Sequence, residues 1–248
     1  MIWAIKNLIG NYFGDDHLDN DYEKLELPHN IAKLLPYRAF DEENSLYVNY
    51  NSFGFILEAS PLVGANLDTV NLLTGMITDG VPTGCSVQFL NWASPNISHI
   101  MDNWQTVRQK SSAIYDFLSN KRVDYLKTSN WHSLFEAVPY TIRDFRLFIS
   151  VSVPGVVTKK SAIEMLRLRQ SIQSNLKTIN IHTNNLEPQN FIGLMDELLN
   201  PTATYYHNKP LYNPNDPINL QLSNPENALI VKSGNLKFSQ SDIELRCF

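Results

Sequence analysis

The sequence predicts an α+β fold: a mixed, largely antiparallel sheet packed against several amphipathic helices, with a small C-terminal strand meander. Three observations predict it. Residues 46–50 and 53–58 are rich in aromatic and β-branched side chains and flank Asn51-Ser52, which reads as a hairpin. Residues 145–153 form an alternating run of the same kind, closed by Pro154-Gly155. Residues 162–179 set Met165, Leu168, Ile172, Leu176 and Ile179 on one side of a helix and Arg167, Arg169, Gln170 and Gln173 on the other. The elements do not alternate strand and helix, as a doubly wound sheet requires.

In chain order, Ile2, Trp3, Ile5, Leu8, Ile9, Tyr12 and Phe13 make an apolar stripe, followed by Asp15, Asp16, Asp19 and Asp21. We read residues 1–29 as an attachment helix and acidic linker, and residues 30–248 as one α+β domain. The stripe has two readings, packing on protein or lying in a membrane interface; only Lys6 would face anionic lipid, and the aspartates would be repelled. Residues 30–35 form a short helical pattern stopped by Pro36. Asn66 and Asp68 offer caps to a helix with Leu67, Val70, Leu73 and Ile77 on one face, ending near Gly80 and Pro82. Residues 86–93 return to strand.

A longer helix is expected through Ile97, Ile100, Met101, Trp104, Val107, Ile114, Phe117 and Leu118, capped by Asn96 or Ser98. A second helical segment follows through Trp131, Leu134 and Phe135 to Pro139. Glu187-Pro188 opens a further helix, proline being tolerated where its missing N–H costs nothing. Residues 201–225 read as an extended loop, and residues 229–231, 236–238 and 243–248 as short strands. The chain stops inside a strand pattern at Phe248, as a longer protein cut there would.

Composition excludes several functions. A net charge of −5, with basic clusters only at Lys121-Arg122 and at Lys159-Lys160 with Arg167 and Arg169, argues against direct nucleic-acid binding. Cys85 and Cys247 suggest no disulfide framework, which fits a reducing compartment. No run approaches the ~18 apolar residues that cross a bilayer, and the N-terminus carries no secretory signal. The expected location is the cytoplasm.

Reactive motifs are sought without success. No GxxxxGK[ST] loop exists, and Phe191-Ile192-Gly193-Leu194-Met195-Asp196-Glu197, superficially like the magnesium-holding run of P-loop ATPases, has helical periodicity. The six histidines show no HExxH and no zinc spacing with cysteine. Cys85 has no motif linking it to a histidine and reads as a core cysteine. Asn96-Ile97-Ser98 is formally a glycosylation sequon but caps a helix more simply. Tyr47, Tyr50, Phe53 and Phe55 could stack on bases, yet such residues more often pack a sheet face. No catalytic, cofactor-binding or metal-ligating residue is assigned.

Several segments in order carry a resemblance. They are Leu34-Leu35-Pro36-Tyr37-Arg38-Ala39-Phe40, Phe53-Gly54-Phe55-Ile56-Leu57-Glu58 and Pro61-Leu62-Val63-Gly64-Ala65. Further on come Val87-Gln88-Phe89-Leu90-Asn91-Trp92-Ala93-Ser94-Pro95, Arg143-Asp144-Phe145-Arg146-Leu147-Phe148 and Leu194-Met195-Asp196-Glu197-Leu198-Leu199-Asn200-Pro201. Together they resemble the N-terminal region of the TraC family of F-type pilus-assembly ATPases, from about residue 30 to 248.

The resemblance implies a cytoplasmic ATPase peripheral to the bacterial inner membrane, powering pilus assembly and conjugative DNA transfer through a hexameric base. The family's RecA-like motor, with its ATP and magnesium, follows this region and has no counterpart in the sequence. The implied role is docking to inner-membrane type IV secretion subunits, with self-association and peripheral membrane contact among the expected interactions. A stand-alone hydrolase using dispersed carboxylates or Cys85 is the alternative, which a deep polar pocket with a perturbed acid or cysteine would favour. Pro61, Gly64, Trp92, Trp104, Arg143 and Phe148 are expected to act through structure: Gly64 in a turn, the tryptophans at a strand-to-helix junction, Arg143 paired with an acid.

Overall fold

The structure, a computed structural model, describes residues 31–62, 64–108, 112–130, 132–135, 138–199, 211–222, 229–232, 235–238 and 244–246. Its main sheet has six strands: β1 (Tyr37–Asp41), β2 (Leu46–Asn49), β3 (Ser52–Ala59), β4 (Ser86–Ser94), β5 (Asp144–Pro154) and β6 (Thr183–Asn185). Their order is β1-β2-β3-β5-β4, and β6 lies beside the far end of β3, past the reach of β2. Every pairing is antiparallel. The expected hairpin forms between β2 and β3, with Val48 opposite Phe53. A long ladder joins β3 to β5, where Gly54 is required: a Cβ there would lie 2.0 Å from the carbonyl oxygen of Val151.

Helices cover both faces of the central strands. On one face Phe53, Phe55 and Leu57 of β3 and Ile149 and Val151 of β5 meet α4 (Lys159–Thr178) through Met165, Leu168, Ile172 and Leu176, with Met76 of α1 (Leu67–Thr78). On the other, Tyr47, Ile56 and Phe148 meet α5 (Pro188–Leu199) through Phe191, Ile192 and Leu194, with Ile218 and Leu222 in and beside the short α6 (Ile218–Gln221). The strand period of two thus supplies two separate cores from one sheet. A second sheet, β7 (Leu229–Lys232), β8 (Asn235–Phe238) and β9 (Glu244–Arg246), is the expected antiparallel meander.

Local chemistry sets the boundaries. Asn66 caps α1 by accepting from the Thr69 N–H at 2.8 Å and its hydroxyl at 2.7 Å. Thr158 and Ser161 form a reciprocal capping box at the start of α4. At its end Asn180 adopts φ +61°, and the Ile181 N–H returns to the Leu176 carbonyl at 3.0 Å, turning the chain into β6.

Several expectations are corrected. The long helix divides into α2 (Ser98–Thr106) and α3 (Ala113–Thr128), with Ser112 extended at the N-cap of the second. The described part of the segment from Trp131 to Phe135 is not helical: Ser133 Oγ bonds the Phe135 N–H and carbonyl, competing with a helical turn, and Phe135 bridges to Val138. In α1 the inward residues are Thr69, Leu73 and Met76, so Leu67, Val70 and Ile77 of the expected core stripe are exposed. Arg169, expected on the polar side of the helix, is buried and donates to the carbonyls of Asn44 and Ser45 at 3.0 and 2.8 Å, pinning the β1–β2 turn to α4. Strands β1 and β6 and helix α6 were not predicted.

Candidate functional site: an ionic cleft and an open flank

Where β3, β5 and β4 end beside α5, a cleft of about 730 Å³ opens. Glu58, Ser94, Asp144, Arg146, His182 and Glu197 are among its lining residues. Its residues come from several elements because the register sets Arg146 beside Trp92 and Asp144 beside Ser94, while α5 brings Glu197 over them.

Arg146 organises the acids. Its Nε donates to Glu58 Oε1 at 2.7 Å and its Nη1 lies 3.9 Å from Glu197 Oε2. Burial alone would lower its pKa, but the hydrogen bond and charge of Glu58, with Glu197 and Asp144, outweigh it and hold the guanidinium above its usual value. Its side chain also lies over the Phe148 ring at 4.9 Å. Glu197, only 4% exposed, accepts from the Ser94 hydroxyl. Ser94 Oγ in turn accepts from the Asn96 N–H at 3.0 Å. At the rim, His99 Nε2 is 3.7 Å from Asp144 Oδ2.

This arrangement is suited to holding elements together. Ser94 is buried, its proton points at Glu197 and its oxygen is already an acceptor, so it is not presented to a substrate. Cys85 packs against the first core, and burial raises its thiol pKa, disfavouring the thiolate. Among the described residues no group of three or more His, Cys, Asp or Glu side chains is placed to hold a metal ion.

The outer edge of the sheet on the β4 side is open. Strand β4 is exposed along most of its length, with Phe89 52% and Leu90 38% exposed on opposite faces. The α2–α3 pair that follows it in sequence shows Ile100, Val107, Ile114, Tyr115, Phe117 and Leu118 to solvent, all but Tyr115 expected in a core stripe of one long helix. Gln105 bonds Asn120 and Lys127 lies 3.9 Å from Asp102, so polar contacts help hold the pair together.

The residues singled out in sequence fall in different places. Ile2, Trp3, Ile5, Leu8, Ile9, Tyr12 and Phe13 lie outside the described residues. Phe148 is in the second core and Trp92 packs against it. Trp104 is clasped by Arg108 at 4.1 Å and Arg122 at 5.8 Å. Pro61 lines the cleft, and Gly64 has φ +82°, a conformation glycine adopts freely. Arg143 is partly buried, which lowers its pKa, and Arg146, three positions on, pairs with Glu58. Sequence reasoning missed Glu58, Ser94, Arg146 and Glu197 as a set, although each lay inside a quoted motif.

Fold and site define an α+β domain with an internally paired ionic cleft and an exposed apolar flank. The family described as TraC protein matches residues 31–248, and the chain belongs to that family. Protein TraC of Escherichia coli (strain K12) is 29% identical over 182 residues, covering 71% of this chain and 21% of that protein. The chain therefore spans about a fifth of that relative's length. No solved structure matches it. No helix among the described residues is long and apolar enough to cross a membrane.

Proposed function

We propose that the chain is the N-terminal docking and assembly domain of an F-type conjugative secretion ATPase, anchoring a motor carried elsewhere in the full-length protein to inner-membrane secretion subunits. Family membership supports the conjugative setting. The observation that carries the docking role is the open flank: α3 alone exposes Ile114, Tyr115, Phe117 and Leu118, more apolar surface than a solvated helix needs. A motor that changes shape on ATP hydrolysis does external work only if part of it is held still, and an apolar flank on a rigid sheet is a suitable grip. On this reading the protein works in the cytoplasm at the inner membrane, residues 1–14 add a second attachment, and ATP and magnesium belong to the motor.

Overproduction of the 248-residue chain in donor cells carrying its own transfer system tests this. The chain should occupy docking sites without a motor and lower transfer frequency, and Ile114→Asp with Phe117→Asp should relieve the inhibition. Unchanged transfer at high expression would sink the proposal. ATP turnover by the purified chain would favour the hydrolase reading.

A further inference from the structure

We infer that strand β4 is a homotypic interface, and that two copies of this chain join antiparallel across its free edge to continue one sheet through both. Strand β4 pairs only with β5, and its other edge has no strand partner among the described residues. A nine-residue edge whose outward N–H and C=O groups face no strand among the described residues is a template for strand addition, and proteins normally blunt such edges with charge, proline or a bulge. Ser-Val-Gln-Phe-Leu-Asn-Trp-Ala-Ser contains no charged residue and no proline, and its ladder to β5 runs without a register shift.

The sequence of the strand identifies a second copy as the occupant. An antiparallel two-fold centred on Leu90 sets Leu90 against Leu90, Phe89 against Asn91, Gln88 against Trp92, Val87 against Ala93 and Ser86 against Ser94. The two Phe89 rings then lie diagonally on one face, within reach of each other, and the two Leu90 side chains meet on the opposite face. Each apolar side chain left exposed on β4 therefore finds its cover in the same strand of the other copy. Charge favours this line as well: a chain of net charge −5 meets its own kind most readily along an uncharged strand. Full pairing would form about eight to ten main-chain hydrogen bonds, since alternate residue pairs in an antiparallel ladder exchange two each.

This goes beyond the docking reading and stands apart from it, because it is tested on the purified chain. Light scattering should give twice the 28.3 kDa monomer mass. Leu90→Lys, which sets two like charges face to face, should raise the dimer dissociation constant at least about tenfold while circular dichroism stays unchanged. With Cys85 and Cys247 replaced by serine, Leu90→Cys should form an intermolecular disulfide on mild oxidation, since directly opposed Cα atoms lie within bridging distance. Gln88→Cys should not, because the two-fold sets it about 13 Å from its own copy. A monomer at high concentration, a dimer indifferent to Leu90→Lys, or equal cross-linking at both positions would overturn the inference. Capture of a different protein's strand by a monomeric chain would assign the edge to that partner instead.

Discussion

Strands β3 and β4 both join β5, and both are mainly apolar, yet one is buried along most of its length and the other exposed along most of its length. Ser52–Ala59 is enclosed edge to edge by β2, β6 and β5, and face to face by α4 and α5. Ser86–Ser94 has β5 on one edge and little over either face. Composition makes both segments strands, while burial is conferred by what crosses above and below them. The contrast separates the molecule into a sealed part that holds the fold and an open part available to partners.

The largest effect that would sharpen this contrast is in the sealed part. Phe55→Ala empties a fully buried site between β3 and α4 and should cost about 3–5 kcal/mol in urea unfolding. A loss below about 1 kcal/mol would mean that the first core can collapse around the gap, and that β3 is less tightly held than its burial indicates.

How much of this was legible follows from the range of the forces involved. The β2–β3 hairpin, β5, α4 and the C-terminal meander were readable because local periodicity and turn residues specify them. Strand β1, Tyr-Arg-Ala-Phe-Asp, has charged residues breaking its alternation, and β6, Thr-Asn-Asn, has no apolar residue, so both are strands by pairing alone. The cleft was not legible as a unit: Ser94 meets Glu197 across 103 positions and Arg146 meets Glu58 across 88. Register brings them together, and no local pattern encodes it. Arg169 was misread because a helical wheel cannot show that carbonyls of the β1–β2 turn wait above it. The family resemblance was legible from motifs that carry packing, such as Phe53-Gly54-Phe55, where the glycine is needed for close approach to β5.

A smaller effect tests the seal on the second face. Tyr47 is buried, and its hydroxyl donates to the Leu186 carbonyl at 2.8 Å. Burial first, then the neighbouring Glu187, Tyr212 and Tyr37, pushes its phenol far above the ordinary value of 10.0, and burial also raises Tyr37 and Tyr212. The folded protein therefore keeps these protons after the unfolded chain has begun to lose them. The stability they contribute is fully present below pH about 10 and falls as pH rises beyond it. Tyr47→Phe should cost about 1 kcal/mol at neutral pH, from the lost hydrogen bond, and should flatten the alkaline decline. Urea titrations at neutral and alkaline pH check both, and an equally steep decline in the variant would show that Tyr47 is not sealed.

The smallest effect belongs to the open part and decides whether it is open. Phe117 on α3 is 61% exposed, with the Lys121 ammonium 5.9 Å from its ring centroid. An exposed cation–π contact of that kind contributes about 0.5 kcal/mol. Phe117→Ser removes this contact and a large apolar ring while adding a polar group already in water, so stability should change by no more than about 0.5 kcal/mol. A cost above about 2 kcal/mol would mean that α3 is packed against something in the isolated chain, making it part of the fold's own core. A near-neutral result would leave the ring with no role in holding the fold, which is the condition that lets the Ile114→Asp and Phe117→Asp pair report on docking without disturbing the domain.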